Sequence, residues 1–347
     1  MKRDLISIDD LGRADLERYL ALAAKVEGLE PEAKRDKLPG RVLAVMFFEP
    51  STRTRLSFES AMCRLGGSVL GFSEAASTSA AKGESLRDTA RTVERYAGQM
   101  VIRPPREGAA RAAAEATGVP VINAGDGANQ HPSQTLLDLY TIQKFFGGLK
   151  KGLRIALVGD LKYSRTIHSL VQALALFEGL EFHLVSPPAL RLPGYLMETG
   201  AARKASFHES EDLRAAIRRS DVLYMTRIQK ERFPDVLDYE KVKDAYVLNR
   251  EMLEEAPRGL RVMHPLPRVN EIAADVDETG HAGYFEQVGH GLVVRQAVLL
   301  DLLGVAPGPT TTTRCCTSRR SRRGRSSTTS PPASGSRSWR SSTATRR

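Results

Sequence analysis

An α/β fold of two domains, each a mainly parallel sheet flanked by helices, is what the sequence predicts, and three observations predict it. From about residue 40 to residue 300, short apolar runs alternate with amphipathic stretches, the pattern of strands linked by crossover helices. Nine such runs occur, and two sheets of four or five strands accommodate them better than one sheet of nine. Ser51, Arg103, His131, Arg165, Arg227 and His264 each follow a run closely, at the carboxyl ends of strands where ligands of such folds bind.

In order, the expected strands are 42–48, 68–72, 100–103, 120–123, 154–158, 181–185, 222–225, 246–248 and 261–264. The first leads into 56–65, whose apolar residues recur at helical spacing and stop at Gly66-Gly67, so Ser51 is the expected N-cap. A helix beginning near Pro132 and ending at Gly147-Gly148 carries the boundary, because a new strand–turn–helix unit starts at Leu153. The domains expected are 1–135, with a C-terminal helix over about 286–304 packing back on it, and 136–285. Gly159 after the fifth strand invites a dinucleotide reading, but the second and third glycines of G-x-G-x-x-G are missing. Arg165-Thr166 at the following helix start reads better as an anion contact.

After Leu303 the chain changes character. Residues 306–347 contain no Leu, Ile, Val, Met or Phe, and Ser, Thr, Arg and Pro dominate. Such a segment buries no core and is expected to be disordered; an abrupt loss of aliphatic residues is also what out-of-frame translation would produce. This tail explains the formal charge of +10. It holds ten arginines and no acidic residue, leaving 41 basic and 41 acidic residues in the preceding 305. The globular part is therefore formally neutral, and charge in the tail is the sole support for a nucleic-acid binder. No apolar stretch reaches membrane length and the N-terminus lacks a signal-peptide core, so no membrane association and a cytoplasmic location are expected. The three cysteines form no disulfide framework or zinc-ligand spacing.

The segment 50–55, Pro-Ser-Thr-Arg-Thr-Arg, ends a strand and opens a helix with groups that all favour an anion. A helix N-terminus offers unpaired N–H groups and the positive end of the macrodipole, to which hydroxyls and a guanidinium fork are added. Ser-Thr-Arg alone would equally describe a capped helix with solvated arginines. Further signals follow. Residues 77–89 form a polar stretch with a single lysine, read as a mobile loop leading into a helix; 131–138, His-Pro-Ser-Gln-Thr-Leu-Leu-Asp, opens a helix with proline in its first turn. Alone, Arg103 reads as a solvated strand end and His131 as a structural cap. Together these segments resemble the carbamoyltransferase family over about residues 1–304.

The resemblance implies a carbamoyl phosphate site built by Ser51, Thr52, Arg53 and Thr54 on the phosphate, Arg103 on both the phosphate and the carbonyl oxygen, His131 on the carbonyl oxygen and Gln134 on the carbamoyl NH₂. It implies that Ser79 and Lys82 reach into the neighbouring subunit's site, and that Arg53, Thr54, Lys82, Arg103 and His131 act in catalysis. For the second substrate, aspartate calls for guanidinium and amide donors, whereas ornithine calls for an acidic partner. The chain offers Arg165-Thr166, and Arg227-Ile-Gln229-Lys-Glu-Arg232 after a strand; its closing loop, His264-Pro-Leu266-Pro267, is not the H-C-L-P of ornithine members. The aspartate-using branch is therefore implied, with Lys82, Arg165, Thr166, Arg227, Gln229, Leu266 and Pro267 as aspartate contacts. Glu49, Arg165 and Arg232 resemble residues that bridge the domains on closure.

By the same resemblance the reaction is acyl transfer from carbamoyl phosphate to L-aspartate, the committed step of pyrimidine biosynthesis, with no cofactor, metal or covalent intermediate. A homotrimer with shared active sites is implied, and the 227–232 loop is closest to the type that pairs with separate regulatory chains. Another carbamoyltransferase with a different amine acceptor and a catalytically silent scaffold are the rival readings.

Overall fold

The computed structural model describes residues 2–198, 200–228, 235–242 and 245–308. Among the described residues, nine strands form two wholly parallel sheets. β1 (Val42–Phe47), β2 (Ser68–Phe72), β3 (Gln99–Arg103) and β4 (Val121–Asn123) pair in the order β2-β1-β3-β4. β5 (Arg154–Val158), β6 (Glu181–Val185), β7 (Ser206–Ser210), β8 (Val222–Met225) and β9 (Arg261–Met263) pair in the order β7-β6-β5-β8-β9. The strand order in each sheet thus reverses once, between β1 and β3 in the first and between β5 and β8 in the second. At such a reversal the crossover connections leave to opposite sides and open a crevice beyond the strand ends.

One expected strand is corrected. Residues 246–248 make only an isolated bridge, Leu248 to Ile272, because Leu248 alone of the three is buried and its N–H and carbonyl are taken by the 271–273 segment. The ninth strand is instead β7, Ser-Phe-His-Glu-Ser, which carries little apolar signal because it is a sheet edge and its side chains are mostly exposed. The expected loop 77–89 contains two short 3₁₀ turns, Ala75–Ser77 and Ser79–Lys82, before a helix at Leu86–Val93 capped by the Ser85 hydroxyl. The expected tail, beyond its first three residues, lies outside the described residues.

The helix Pro132–Phe146 connects the sheets and is buried on nearly all sides from Pro132 to Ile142, so its apolar residues do not form a stripe. It packs against the helices Tyr284–Leu302 and Arg165–Leu174. One continuous core results, running from Val45 and Phe47 on β1 through Leu136, Leu139 and Tyr140 to Leu157 on β5 and Tyr224 on β8. The described residues accordingly form one compact unit. Leu139, fully buried in the middle of the connecting helix, should report on both sheets together. Leu139→Ala should cost about 2–5 kcal/mol. Because the core is continuous, guanidinium unfolding of the variant should remain a single transition by circular dichroism and tyrosine fluorescence; two separated transitions would refute the shared core.

Candidate active site

Both reversals empty into one cavity of about 740 Å³. The chain leaving β1 supplies Glu49 and Ser51–Thr54, β3 supplies Arg103, and the start of the connecting helix supplies His131 and Gln134. From the second sheet come Arg165 and Thr166 after β5, Thr226 and Arg227 after β8, and Leu266 and Pro267 after β9. Twelve of the substrate contacts anticipated in the sequence, together with Glu49 and His264, therefore line a single space. Ser79 and Lys82 do not line it; both are exposed on their 3₁₀ turn. Gln229 and Arg232 lie outside the described residues.

Ser51 is the N-cap of the helix Thr52–Arg64, as expected, but its hydroxyl makes no capping bond. The first-turn N–H groups and the hydroxyl thus remain directed to the cavity end of the helix, where an anion is favoured. Phe48 and Glu49 N–H groups both donate to the Arg103 carbonyl, locking the exit of β1 to the end of β3. Arg103 is turned inward by a bond from Nη1 to the Ala124 carbonyl at 2.9 Å, and its Nη2 lies 3.8 Å from Glu49 Oε2. Arg165 reaches from the other sheet to the Gly127 carbonyl. Gly125 separates the two guanidinium groups: at φ +110° it has no Cβ, and one placed there would lie 2.8 Å from Arg103 Nη1 and 3.0 Å from Arg165 Nη2. Asn123, which donates to Asp126 and accepts from Gly125 N–H, holds this loop rigid.

On the second-sheet side, Thr226 is seated by bonds from its N–H and hydroxyl to the Val158 carbonyl. This approach requires glycine at 159, since a Cβ there would stand 2.4 Å from the Thr226 carbonyl oxygen. The 264–271 turn is fixed by buried polar bonds. His264 Nδ1 accepts from Leu266 N–H at 2.7 Å, which leaves its Nε2 proton for Glu271 Oε1 at 2.7 Å. Glu271 also accepts from the Val269 and Asn270 N–H groups. Leu266 adopts φ +48° and precedes a cis bond to Pro267; both residues line the cavity.

Among the described residues, five guanidinium groups line the cavity, those of Arg53, Arg103, Arg165, Arg227 and Arg295, against a single carboxylate, Glu49. Burial, followed by the Arg227 charge, lowers the Arg53 pKa; burial lowers that of Arg295 to about 10. Burial, then Arg165, Arg103 and Arg295, drives the His131 pKa well below 6.5, so the imidazole is neutral near pH 7. Arg295, which the sequence reading passed over, stands in the apolar run Val-Val-Arg-Gln-Ala-Val of the C-terminal helix, donates to the Ser57 hydroxyl at 2.9 Å and lies over the Phe58 ring. A charge inside an apolar helical face was the signal available for it. Gln287, Thr226 and Ser57 are cavity residues that carried no such signal.

The arrangement can bind a compact polyanion and stabilise negative charge that develops between its two halves. Two outcomes follow. Gly125→Ala should weaken inorganic phosphate binding at least about tenfold by calorimetry, since its Cβ displaces both guanidinium groups. The unfolded chain takes up a proton at His131 near pH 6.5 that the folded chain refuses, so this contribution to stability is full above that pH and lost as pH falls below it. Guanidinium midpoints should accordingly drop between about pH 7 and about pH 5, and drop less in His131→Gln.

Residues 3–144 match the family described as aspartate/ornithine carbamoyltransferase, carbamoyl-P binding domain, and residues 151–302 match its Asp/Orn binding domain. The aspartate carbamoyltransferase catalytic subunit of Thermococcus kodakarensis is 57% identical over 304 residues, covering 87% of this chain and 97% of that protein. Among solved structures, the catalytic subunit of M. jannaschii aspartate transcarbamoylase aligns with a TM-score of 0.81 at 52% identity, over 88% of this chain and 98% of that one. Aspartate transcarbamoylase from Trypanosoma cruzi, in complex with carbamoyl phosphate and aspartate, aligns with a TM-score of 0.80 at 36% identity, over 86% of this chain and 96% of that one. With both of its halves matched in sequence and its fold matched in structure, this chain belongs to the aspartate/ornithine carbamoyltransferase family.

Proposed function

We infer that this chain is an enzyme that transfers the carbamoyl group of carbamoyl phosphate to the amino group of L-aspartate, giving N-carbamoyl-L-aspartate and phosphate. The observation that carries the choice of acceptor is the charge of the cavity. Arg165 and Arg227 enter from the second sheet, and among the described residues the only lining carboxylate is Glu49, which lies beside Arg103. Two carboxylates find guanidinium donors there, whereas the ammonium of ornithine would face like charge.

In the mechanism this geometry supports, the phosphate rests on the helix N-terminus at Ser51–Thr54 with Arg53 and Arg103. The carbamoyl carbonyl oxygen meets His131, which donates as a neutral imidazole because burial, reinforced by the surrounding arginine charges, keeps it uncharged. The neutral amine of aspartate attacks the carbamoyl carbon, and a C–N bond forms. The developing oxyanion is held by His131, Arg103 and Thr54. The C–O bond to phosphate then breaks, and the departing phosphate takes the proton lost by the amine. Positioning two reactants in one cavity supplies much of the acceleration, and loss of one oxyanion donor costs on the order of 10²–10³ in rate. Arg165, Thr166 and Arg227 hold the aspartate carboxylates against the wall made by Leu266 and Pro267. Gln229 belongs to the same reading.

The exposed position of Ser79 and Lys82 supports a shared site, in which these residues complete the cavity of a neighbouring copy in a homotrimer. The division into a carbamoyl phosphate-binding part, 1–135 with the C-terminal helix, and an aspartate-binding part, 136–285, is part of this proposal, as are a cytoplasmic location and a place in pyrimidine biosynthesis.

Phosphate release from carbamoyl phosphate with aspartate, compared with ornithine, tests the activity; preference for ornithine would overturn it. Arg227→Ala should raise the KM for aspartate about tenfold or more and depress kcat, with much less effect on carbamoyl phosphate affinity. Inactive Lys82→Ala and inactive Arg53→Ala proteins, mixed under conditions that exchange subunits, should recover activity. Verified hybrids as inactive as either parent would place Lys82 outside a shared site.

A further inference from the structure

Asp138 lies one helical turn after Gln134, is completely buried, and takes no part in the reaction just described. Three donors from three elements converge on it. Gln134 Nε2 on the connecting helix donates to Oδ1 at 2.9 Å, Gln287 Nε2 on the C-terminal helix donates to the same oxygen at 2.6 Å, and the Tyr224 hydroxyl on β8 donates to Oδ2 at 2.8 Å. An ionised carboxylate only accepts hydrogen bonds, so each glutamine must turn its NH₂ group toward it. Gln287 displays the consequence: its carbonyl oxygen faces the other way and accepts from the His264 N–H at 2.9 Å, where the 264–267 turn begins.

The same constraint acts on Gln134, which lines the cavity. With its NH₂ end turned to Asp138, the end of this amide that faces the other way is its carbonyl oxygen. That oxygen complements a ligand group that donates. A ligand with a methyl in the same place leaves it without a donor, and buried polar groups deprived of partners are the strongest source of discrimination between isosteres. Burial pushes the Asp138 carboxyl up to about 7; the Tyr224, Gln287 and Gln134 donors and the Arg295 charge act in the opposite direction. Above that value the carboxylate form prevails.

We propose that Asp138 is a positioning residue that sets the direction of the Gln134 amide, so that the site selects a carbamoyl NH₂ over an isosteric methyl group. Through Gln287 the same carboxylate ties this selection to the turn that carries Leu266 and Pro267. The proposal rests on the reading that Gln134 meets the carbamoyl NH₂.

The test compares phosphonoacetamide with phosphonoacetone, two stable phosphonates that differ only in NH₂ against CH₃. Their affinities are measured by calorimetry on the assembled full-length protein at about pH 8.5, which requires no turnover. Wild type should bind the amide about 100-fold more tightly. Asp138→Asn can present either end of its own amide, so the Gln134 direction is no longer imposed; the affinity for the amide should fall about tenfold or more while that for the ketone stays within about twofold. Equal losses for both ligands would overturn the proposal, because general loosening of the site does not distinguish NH₂ from CH₃. If Asp138→Asn does not fold, Tyr224→Phe and Gln134→Met decide. Tyr224→Phe leaves the amide direction intact and should keep the preference, whereas Gln134→Met should erase it; loss of preference in the first or its retention in the second overturns the proposal. Carbamoyl transfer to aspartate by wild type is assayed alongside. A wild type that transfers the group but whose preference is unmoved in Asp138→Asn refutes the role of Asp138 alone, and a wild type that neither transfers the group nor prefers the amide refutes the functional reading beneath it.

Discussion

The confinement of five guanidinium groups in one cavity is the constraint on which the rest of the structure depends. Like charges a few ångströms apart repel by roughly 1 kcal/mol in water and by more where water is excluded, so without partners these side chains would swing into solvent. The protein prevents this with oriented backbone. Carbonyls of Ala124 and Gly127 hold Arg103 and Arg165, and Gly125 lets both approach one strip of chain. Arg295 is held by Ser57 and by the Phe58 ring, deep enough that burial weakens its basicity. What results is a site prepared for phosphate and carboxylate charge before either arrives, the condition under which electrostatic stabilisation accelerates a reaction.

The same crowding sets the protonation state of its neighbour. His131 is buried among Arg165, Arg103 and Arg295, and a further positive charge there would be opposed both by desolvation and by all three. It therefore serves as an uncharged donor, suited to a carbonyl oxygen that gains negative charge only as the reaction proceeds. Burial and the arginines together thus determine what kind of hydrogen bond the reacting carbonyl receives, and the arginines determine where the anion sits.

Behind the cavity wall, a polar network joins elements far apart in sequence. Asp138, Gln134, Gln287, Tyr224 and His264 connect the helix between the sheets, the C-terminal helix, β8 and the exit of β9. The apolar core is continuous across the same boundary, so the two sheets meet over a shared interior and not merely across a cleft. Coupling between the two halves of the cavity needs no long pathway when one buried carboxylate touches both.

Much of this was legible in the residues themselves. Strand periodicity and glycine breaks foretold eight of the nine strands and their division between two sheets, because all but one of those strands are largely buried, and burial is what a hydrophobic pattern records. β7 escaped because an edge strand needs no apolar faces, and 246–248 misled because three apolar or aromatic residues suffice for a bridge without extending a sheet. Pro-Ser-Thr-Arg-Thr-Arg and His-Pro-Ser-Gln announced themselves because helix starts, guanidinium forks and hydroxyls carry their chemistry locally. Arg295, Gln287, Ser57 and the role of Asp138 did not, since each is defined by a partner more than a hundred residues away, and linear spacing encodes no such distance. The local chemistry of each segment was thus determined by sequence alone; which segments share a cavity, which charges repel and which amide faces a ligand were decided only by the topology that folds two sheets around one helix.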